Sequence, residues 1–156
     1  LVSEVKANMK EEAEDAPFAI IDGSPGIGCP VIASLSGVDM VLIVAEPSVS
    51  GISDMERIIR TAGTFGVQTA VCINKSNTNA VNAEKIKTFC KERGLPFVGE
   101  IPFDPCAVEA INDGKTIVDI DCISGVAAKG VYEQTMKLLF KEEGSKHYER
   151  KLQSEL

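Results

Sequence analysis

The sequence predicts an α/β domain with a mainly parallel sheet flanked by helices. Three observations lead there. Short apolar runs recur, "FAII", "MVLIVA" and "TAVCI", without the polar alternation of a one-sided strand. Such runs suit strands covered on both faces. Stretches of helical period lie between them, which gives the strand–helix rhythm of this class.

The elements follow in order. "LVSEVKANMKEEAE" reads as a helix, with Val2, Val5 and Met9 at helical spacing and Pro17 ending it. "FAIID" (18–22) reads as a short buried strand. "PVIASLSG" reads as a brief helix from Pro30 to Gly37. "DMVLIVAEP" (39–47) is the second strand. The next helix has Ser53 as its N-cap candidate, with Glu56 at capping-box spacing, and an apolar stripe of Ile52, Met55, Ile58, Ile59 and Ala62. "VQTAVCINK" (67–75) is a third strand. "NAVNAEKIKTFCKERG" (79–94) is a helix with Val81, Ile86, Phe89 and Cys90 inward and Gly94 as its stop. "LPFVGEIP" (95–102) is a fourth strand, followed by a short helix over 104–114 and a long one over 123–144. Residues 145–156 read as a polar, solvated tail that includes the lone His147.

Composition narrows the function. A length of 156 residues suits one domain, and 44% hydrophobic residues supply a core. With no Trp and 5% aromatics, that core rests on Ile, Val, Leu and Ala. A net charge of −7 disfavours nucleic acid, whose phosphates require clustered Lys and Arg. The apolar runs are too short to span a bilayer, and the polar tail lacks the apolar face of a membrane-anchoring helix. Five cysteines at wide, irregular spacing, with no C-x-x-C, indicate reduced thiols and a cytoplasmic setting. Cys72, Cys90 and Cys122 fall on apolar faces, Cys106 beside Pro105 reads as exposed, and Cys29 reads as a packing residue at a helix start. Asp119 and Asp121 in "TIVDIDC" read as a turn before a helix rather than a metal site.

In open α/β sheets, ligands bind beyond the carboxyl ends of the strands. Four such ends occur here: "DGSPGIG", "EPSVSG", "NKSN" and "IPFDP". A strand-end Asp suits Mg²⁺, which prefers hard oxygen ligands, and glycines beyond it let backbone N–H groups approach an anion. Each loop alone is also an ordinary turn.

The ordered set "FAIIDGSPGIG", "GVDMVLIVAEPSVSGISDMERII", "TAVCINK" and "VGEIPFD" resembles the MinD/ParA class of P-loop ATPases over roughly residues 1–140. It resembles most closely the MinD-type ATPases with an inserted ferredoxin domain, which share a "GxPGIGCPV" pattern. These are sometimes described as cobyrinic acid a,c-diamide synthase-like (CobQ/CobB) nucleotide-binding domains. The resemblance implies that Asp22 holds the Mg²⁺ shell through water and that Gly23, Ser24, Pro25 and Gly26 sense the γ-phosphate of ATP, with the Gly26 N–H as the contact. It implies that Asn74 and Lys75 face the adenine and that Pro102, Phe103 and Asp104 complete the base pocket. Glu46 and Pro47 match the family's turn after the second strand. Ser24 stands where Pro or Ala is more usual.

The family's Gly-rich, Lys-bearing phosphate loop does not occur in these residues, nor do the clustered cysteines of a ferredoxin insert. The resemblance therefore implies the C-terminal half of a larger ATPase, with iron–sulfur clusters only in the part outside this chain. In the family the phosphate-loop strand lies between the "FAIID" and "MVLIVA" strands. Here those two either pair directly, leave an open edge, or take a strand from another chain, and an open apolar edge favours a homodimer. An iron–sulfur or redox protein is the expected partner, with neither nucleic acid nor membrane. The alternatives are a non-catalytic dimerisation or regulatory module, or a cobyrinate-type amidoligase. The latter ranks last, for want of a glutamine-hydrolysing Cys/His pair.

Overall fold

The computed structural model describes residues 16–23 and 29–154. Helix α1 (Cys29–Leu35) precedes strand β1 (Met40–Ala45). Helix α2 (Val49–Thr64) then leads to β2 (Gln68–Asn74), and helix α3 (Ala80–Arg93) leads to β3 (Phe97–Ile101). Helices α4 (Pro105–Asn112) and α5 (Ile123–Ser154) complete the order. The three strands form one parallel sheet in the order β1-β2-β3. Parallel neighbours need long crossovers, and α2 and α3 supply them.

Pairing runs in register from Met40↔Gln68 to Ala45↔Ile73. Between β2 and β3 it breaks once, at Val71/Cys72, and ends at Asn74↔Ile101. Side chains alternate across a strand, so β2 feeds two cores. Val71 and Ile73 join Ile43 and Ala45 under Met55 of α2 and Ala83, Ile86 and Cys90 of α3. Ala70 and Cys72 join Val98 under Val131 of α5. Burial pushes the Cys72 thiol up to about 11 and raises Cys90 as well. Gly99, at φ 139°, makes the close approach of α5 possible, since a Cβ there would sit 3.0 Å from Val131 Cγ2.

Four expectations are corrected. "FAIID" is not a strand and is not buried: residues 18–22 carry no strand pairing, and Ile20 is 75% exposed. A strand exists only through a neighbour's hydrogen bonds, and among the described residues none lies beside it. It does not pair with β1, so direct pairing of the two runs is ruled out, and among the described residues β1 is an edge strand. Phe18 instead meets Phe140 of α5 edge-on, with ring centroids 6.4 Å apart.

The second correction is the cap of α2. Ser48, not Ser53, holds that place, and its Oγ accepts from Gly51 N at 3.0 Å. Third, Val81 points outward at 69% exposure, while Asn82, Ala83, Ile86 and Cys90 form the inner face. Asn79 caps the helix and Asn82 Nδ2 donates to Pro47 O at 3.3 Å, which turns position 82 inward. Fourth, α5 does not stop at Gly144 but continues to Ser154. One glycine costs only about 1 kcal/mol against alanine and so does not by itself end a helix.

The expected cysteine exposures and the turn before α5 stand, while the helix expected over "LVSEVKANMKEEAE" lies outside the described residues. Cys72, Cys90 and Cys122 are buried and Cys106 is exposed. Asp119 Oδ2 accepts from Thr116 N at 2.9 Å and from Thr116 Oγ1 at 2.8 Å, which makes the turn before α5. Cys29 is the first residue of α1.

Candidate functional site

The parallel sheet places the ends of β1, β2 and β3 at one edge, and three polar loops leave it there. The β1 loop begins with Glu46-Pro47-Ser48. Gly51, in the first turn of α2, lies so close that a Cβ would run into the Glu46 carbonyl oxygen. Only glycine lets α2 start this near the strand end.

The β2 loop is the most constrained. Lys75 is left-handed, at φ 53° and ψ 40°, alone among the described non-glycine residues. Such a residue costs of order 1–3 kcal/mol and persists only where its surroundings hold it. Here they do. Its N–H donates to Asn74 Oδ1 at 3.0 Å, and its carbonyl accepts from Thr78 N at 3.0 Å and Thr78 Oγ1 at 2.8 Å. Its ammonium reaches Glu46 Oε1 at 2.6 Å, tying the β2 loop to the β1 loop. The pair is half exposed, so it orients more than it stabilises.

The β3 loop joins through Asn77, in the 3₁₀ turn Ser76–Thr78. Phe103 N donates to Asn77 Oδ1 at 2.7 Å, and Asn77 Nδ2 donates to Phe103 O at 3.2 Å. The Phe103 ring is left 47% exposed. Asp104 is the N-cap of α4, with Oδ1 accepting from Cys106 N at 3.0 Å. Its Oδ2 accepts from Ser124 N at 3.2 Å, in the first turn of α5. These N–H groups, Ser124 first and Cys106 second, hold the Asp104 carboxyl below the usual carboxylate range. The same carboxylate raises the neighbouring Cys106 thiol.

The structure thus brings Asn74, Lys75, Pro102, Phe103 and Asp104 to one edge, with Glu46 beside them. Asn74 Oδ1 accepts from Lys75 N, and its Nδ2 makes no hydrogen bond among the described residues, which leaves a donor for a ligand. The Asp104 carboxylate is engaged at two helix starts, so the exposed Phe103 ring and the backbone of its loop are the groups left for a ligand. Asp22 and Gly23 lie on the exposed 16–23 segment, and among the described residues no hydrogen bond or ion pair ties Asp22 to the other loops. Ser24, Pro25 and Gly26 lie outside the described residues. Sequence reasoning missed Asn77, Ser48 and the Glu46–Lys75 bridge. The dense Asn and Ser of "NKSNTN" signalled side-chain-to-backbone bonding there.

A parallel sheet, helices on both faces and polar loops gathered at the carboxyl edge define the doubly wound α/β class, whose ligands sit at that edge. No family model matches the chain. It is 37% identical over 87 residues to the uncharacterised protein MJ0578 of Methanocaldococcus jannaschii, covering 56% of this chain and 30% of that protein. It is 27% identical over 143 residues to the septum site-determining protein MinD of Helicobacter pylori, covering 82% of this chain and 51% of that one. The fold matches the crystal structure of the Pyrococcus furiosus cell division ATPase MinD at a TM-score of 0.70 and 19% identity, covering 88% of this chain and 57% of that chain. In sequence and in fold the chain is similar to the MinD/ParA-type P-loop NTPases. It spans about half the length, or less, of these relatives.

Proposed function

We propose that this chain is the magnesium- and base-recognising side of an ATP-binding and ATP-hydrolysing protein of the MinD/ParA type. The observation that carries the reading is the junction of three strand-end loops at one sheet edge, through Lys75–Glu46 and Asn77–Phe103, in a chain related to MinD over 82% of its length.

The residues present fit the base side of a nucleotide. Asn74 offers a donor, Phe103 an exposed ring, and the Pro102–Asp104 loop its backbone groups. Asp22, exposed and without an ion-pair partner among the described residues, suits a water-mediated contact to Mg²⁺. Gly23, Ser24, Pro25 and Gly26 follow it as the γ-phosphate switch. When bound, Mg²⁺ neutralises charge on the phosphates. In the longer protein we assign coupling to an iron–sulfur domain, a homodimeric state and a cytoplasmic location. The "GSPGIGCPV" stretch, which resembles the MinD-type ATPases that carry a ferredoxin insert, the open edge of β1 among the described residues and the reduced cysteines support these respectively. Among the described residues, no helix is long and apolar enough to cross a membrane.

Calorimetric titration with Mg²⁺-ATP tests the reading, run on the full-length protein and on this chain. Micromolar binding is expected for the former, with weak binding and little or no hydrolysis for the latter. No binding by the full-length protein would refute the nucleotide assignment. Micromolar binding by this chain alone would refute the claim that its phosphate contacts lie elsewhere.

A further inference from the structure

We propose that Asn77 is a positioning residue that sets Phe103 against the base of a bound nucleotide; the inference rests on the reading of this edge as a nucleotide site. Strands β2 and β3 stop pairing at Asn74↔Ile101. Beyond that point the two chains would separate, and Phe103 would sit on a free loop with its N–H and C=O in water. The Asn77 side chain prevents this. Its carbonyl oxygen accepts from Phe103 N at 2.7 Å and its amide nitrogen donates to Phe103 O at 3.2 Å. One side-chain amide thereby meets both polar groups of a single residue, as a neighbouring strand would, and extends the β2–β3 ladder past its end.

The clamp is itself held. Asn77 sits in the Ser76–Thr78 turn, which starts from the left-handed Lys75 and closes with Thr78 on the Lys75 carbonyl. Lys75 in turn is fixed to Glu46 at 2.6 Å. The position of Phe103 is therefore specified by a chain of contacts running back to β1. The Asn77 amide, engaged at both ends with Phe103, is not aimed at a ligand. The exposed group it presents is the Phe103 ring, a flat apolar surface suited to the face of a base. The role of Asn77 is to hold that ring in place before a ligand arrives, which lowers the ordering cost of binding.

The test compares a ligand with a base to one without. In the full-length protein, Mg²⁺-ATP and Mg²⁺-tripolyphosphate are titrated against the unmodified protein, Asn77→Ala, Asn77→Asp, Phe103→Ala and the double variant Asn77→Ala/Phe103→Ala. Asn77→Asp keeps the acceptor for Phe103 N–H but sets a carboxylate against the Phe103 carbonyl. We expect each single variant to weaken ATP about tenfold, the effect of roughly one lost stacking contact. Tripolyphosphate affinity should stay within about twofold. The double variant should lose no more than Phe103→Ala, because the two residues act through one contact. Parallel loss of both ligands, or an unchanged ATP affinity in Asn77→Ala and Asn77→Asp, overturns the inference while leaving the nucleotide reading standing. An unmodified protein that binds ATP no more tightly than tripolyphosphate overturns the base-side reading itself, and this inference with it.

Discussion

Two runs of this chain look alike on paper and end differently. "FAIID" (18–22) and "TAVCIN" (69–74) are both short, β-branched and apolar, and both end in an acidic or amide residue before a Gly- or Ser-bearing loop. The second becomes β2, central in the sheet, with Val71 and Ile73 fully buried. The first stays unpaired, touching the rest through the Phe18–Phe140 contact. The difference lies in neighbours. β2 has β1 on one side and β3 on the other, while among the described residues 18–22 has neither. An apolar run is a strand only when another strand meets its backbone groups, so strand propensity is largely a statement about packing.

The sharpest way to break this comparison is native-state hydrogen exchange. Amides of β2 open only with the whole fold, whereas those of 18–22 make no backbone hydrogen bond to a described residue. The β2 amides should exchange at least about a thousandfold more slowly. Equal protection in the two runs would mean that 18–22 is paired after all. In a longer protein that supplied a strand between this run and β1, the same amides should become protected, which sharpens the comparison into a statement about the missing neighbour.

Side-chain truncation carries the contrast into stability. Ile73→Ala leaves a cavity beneath Met55 and Ile86 and should cost about 2–5 kcal/mol in urea unfolding. Ile20→Ala, at an exposed position, should fall within about 0.5 kcal/mol. Similar losses at the two sites would contradict the structure of the first run. Gly51→Ala comes next in size. Its new methyl meets the Glu46 carbonyl oxygen, backbone that cannot swing aside, so α2 must move away from the strand end. About 1–3 kcal/mol of destabilisation is expected, as for other overpacked sites. Near-zero cost would show that the β1 loop is not held where it stands.

These contrasts mark how far the sequence could be read. The helices over 49–64 and 80–93 and strands β1 to β3 were legible because each needs only its own periodicity and a sheet to lie on. The stripe Ile52, Met55, Ile58, Ile59 and Ala62 is the face α2 turns inward. The loops at the carboxyl edge were legible for the same reason, since topology alone puts Asn74, Lys75 and Phe103 on one side. What failed depended on partners. The fate of 18–22 turns on a strand that is not a neighbour here. The work of Asn77 turns on a residue 26 positions later in the chain. Val81 was misplaced by one position because Asn82, a polar residue, is drawn inward by Pro47. Asp104 was half legible: an Asp before Pro at a helix start is a capping signal, but nothing local says that it also reaches α5.

That second reach gives the smallest and most specific effect. The Asp104 carboxylate sits where two helix starts converge and accepts from Ser124 N and Cys106 N, and those bonds lower its pKa from the ordinary 3.8. A carboxyl whose folded value is depressed adds stability above its unfolded value and loses it as pH falls through the folded one. Asp104→Asn keeps an acceptor but no charge, so it should be less stable than the unmodified chain near pH 7. The gap should close as pH drops from about 4 toward the lowered folded value. Urea unfolding of both proteins across that range reads the gap directly. A difference that stayed constant with pH would show that the charge of Asp104 does not join α4 to α5, and that the β3 loop is fixed by Asn77 alone.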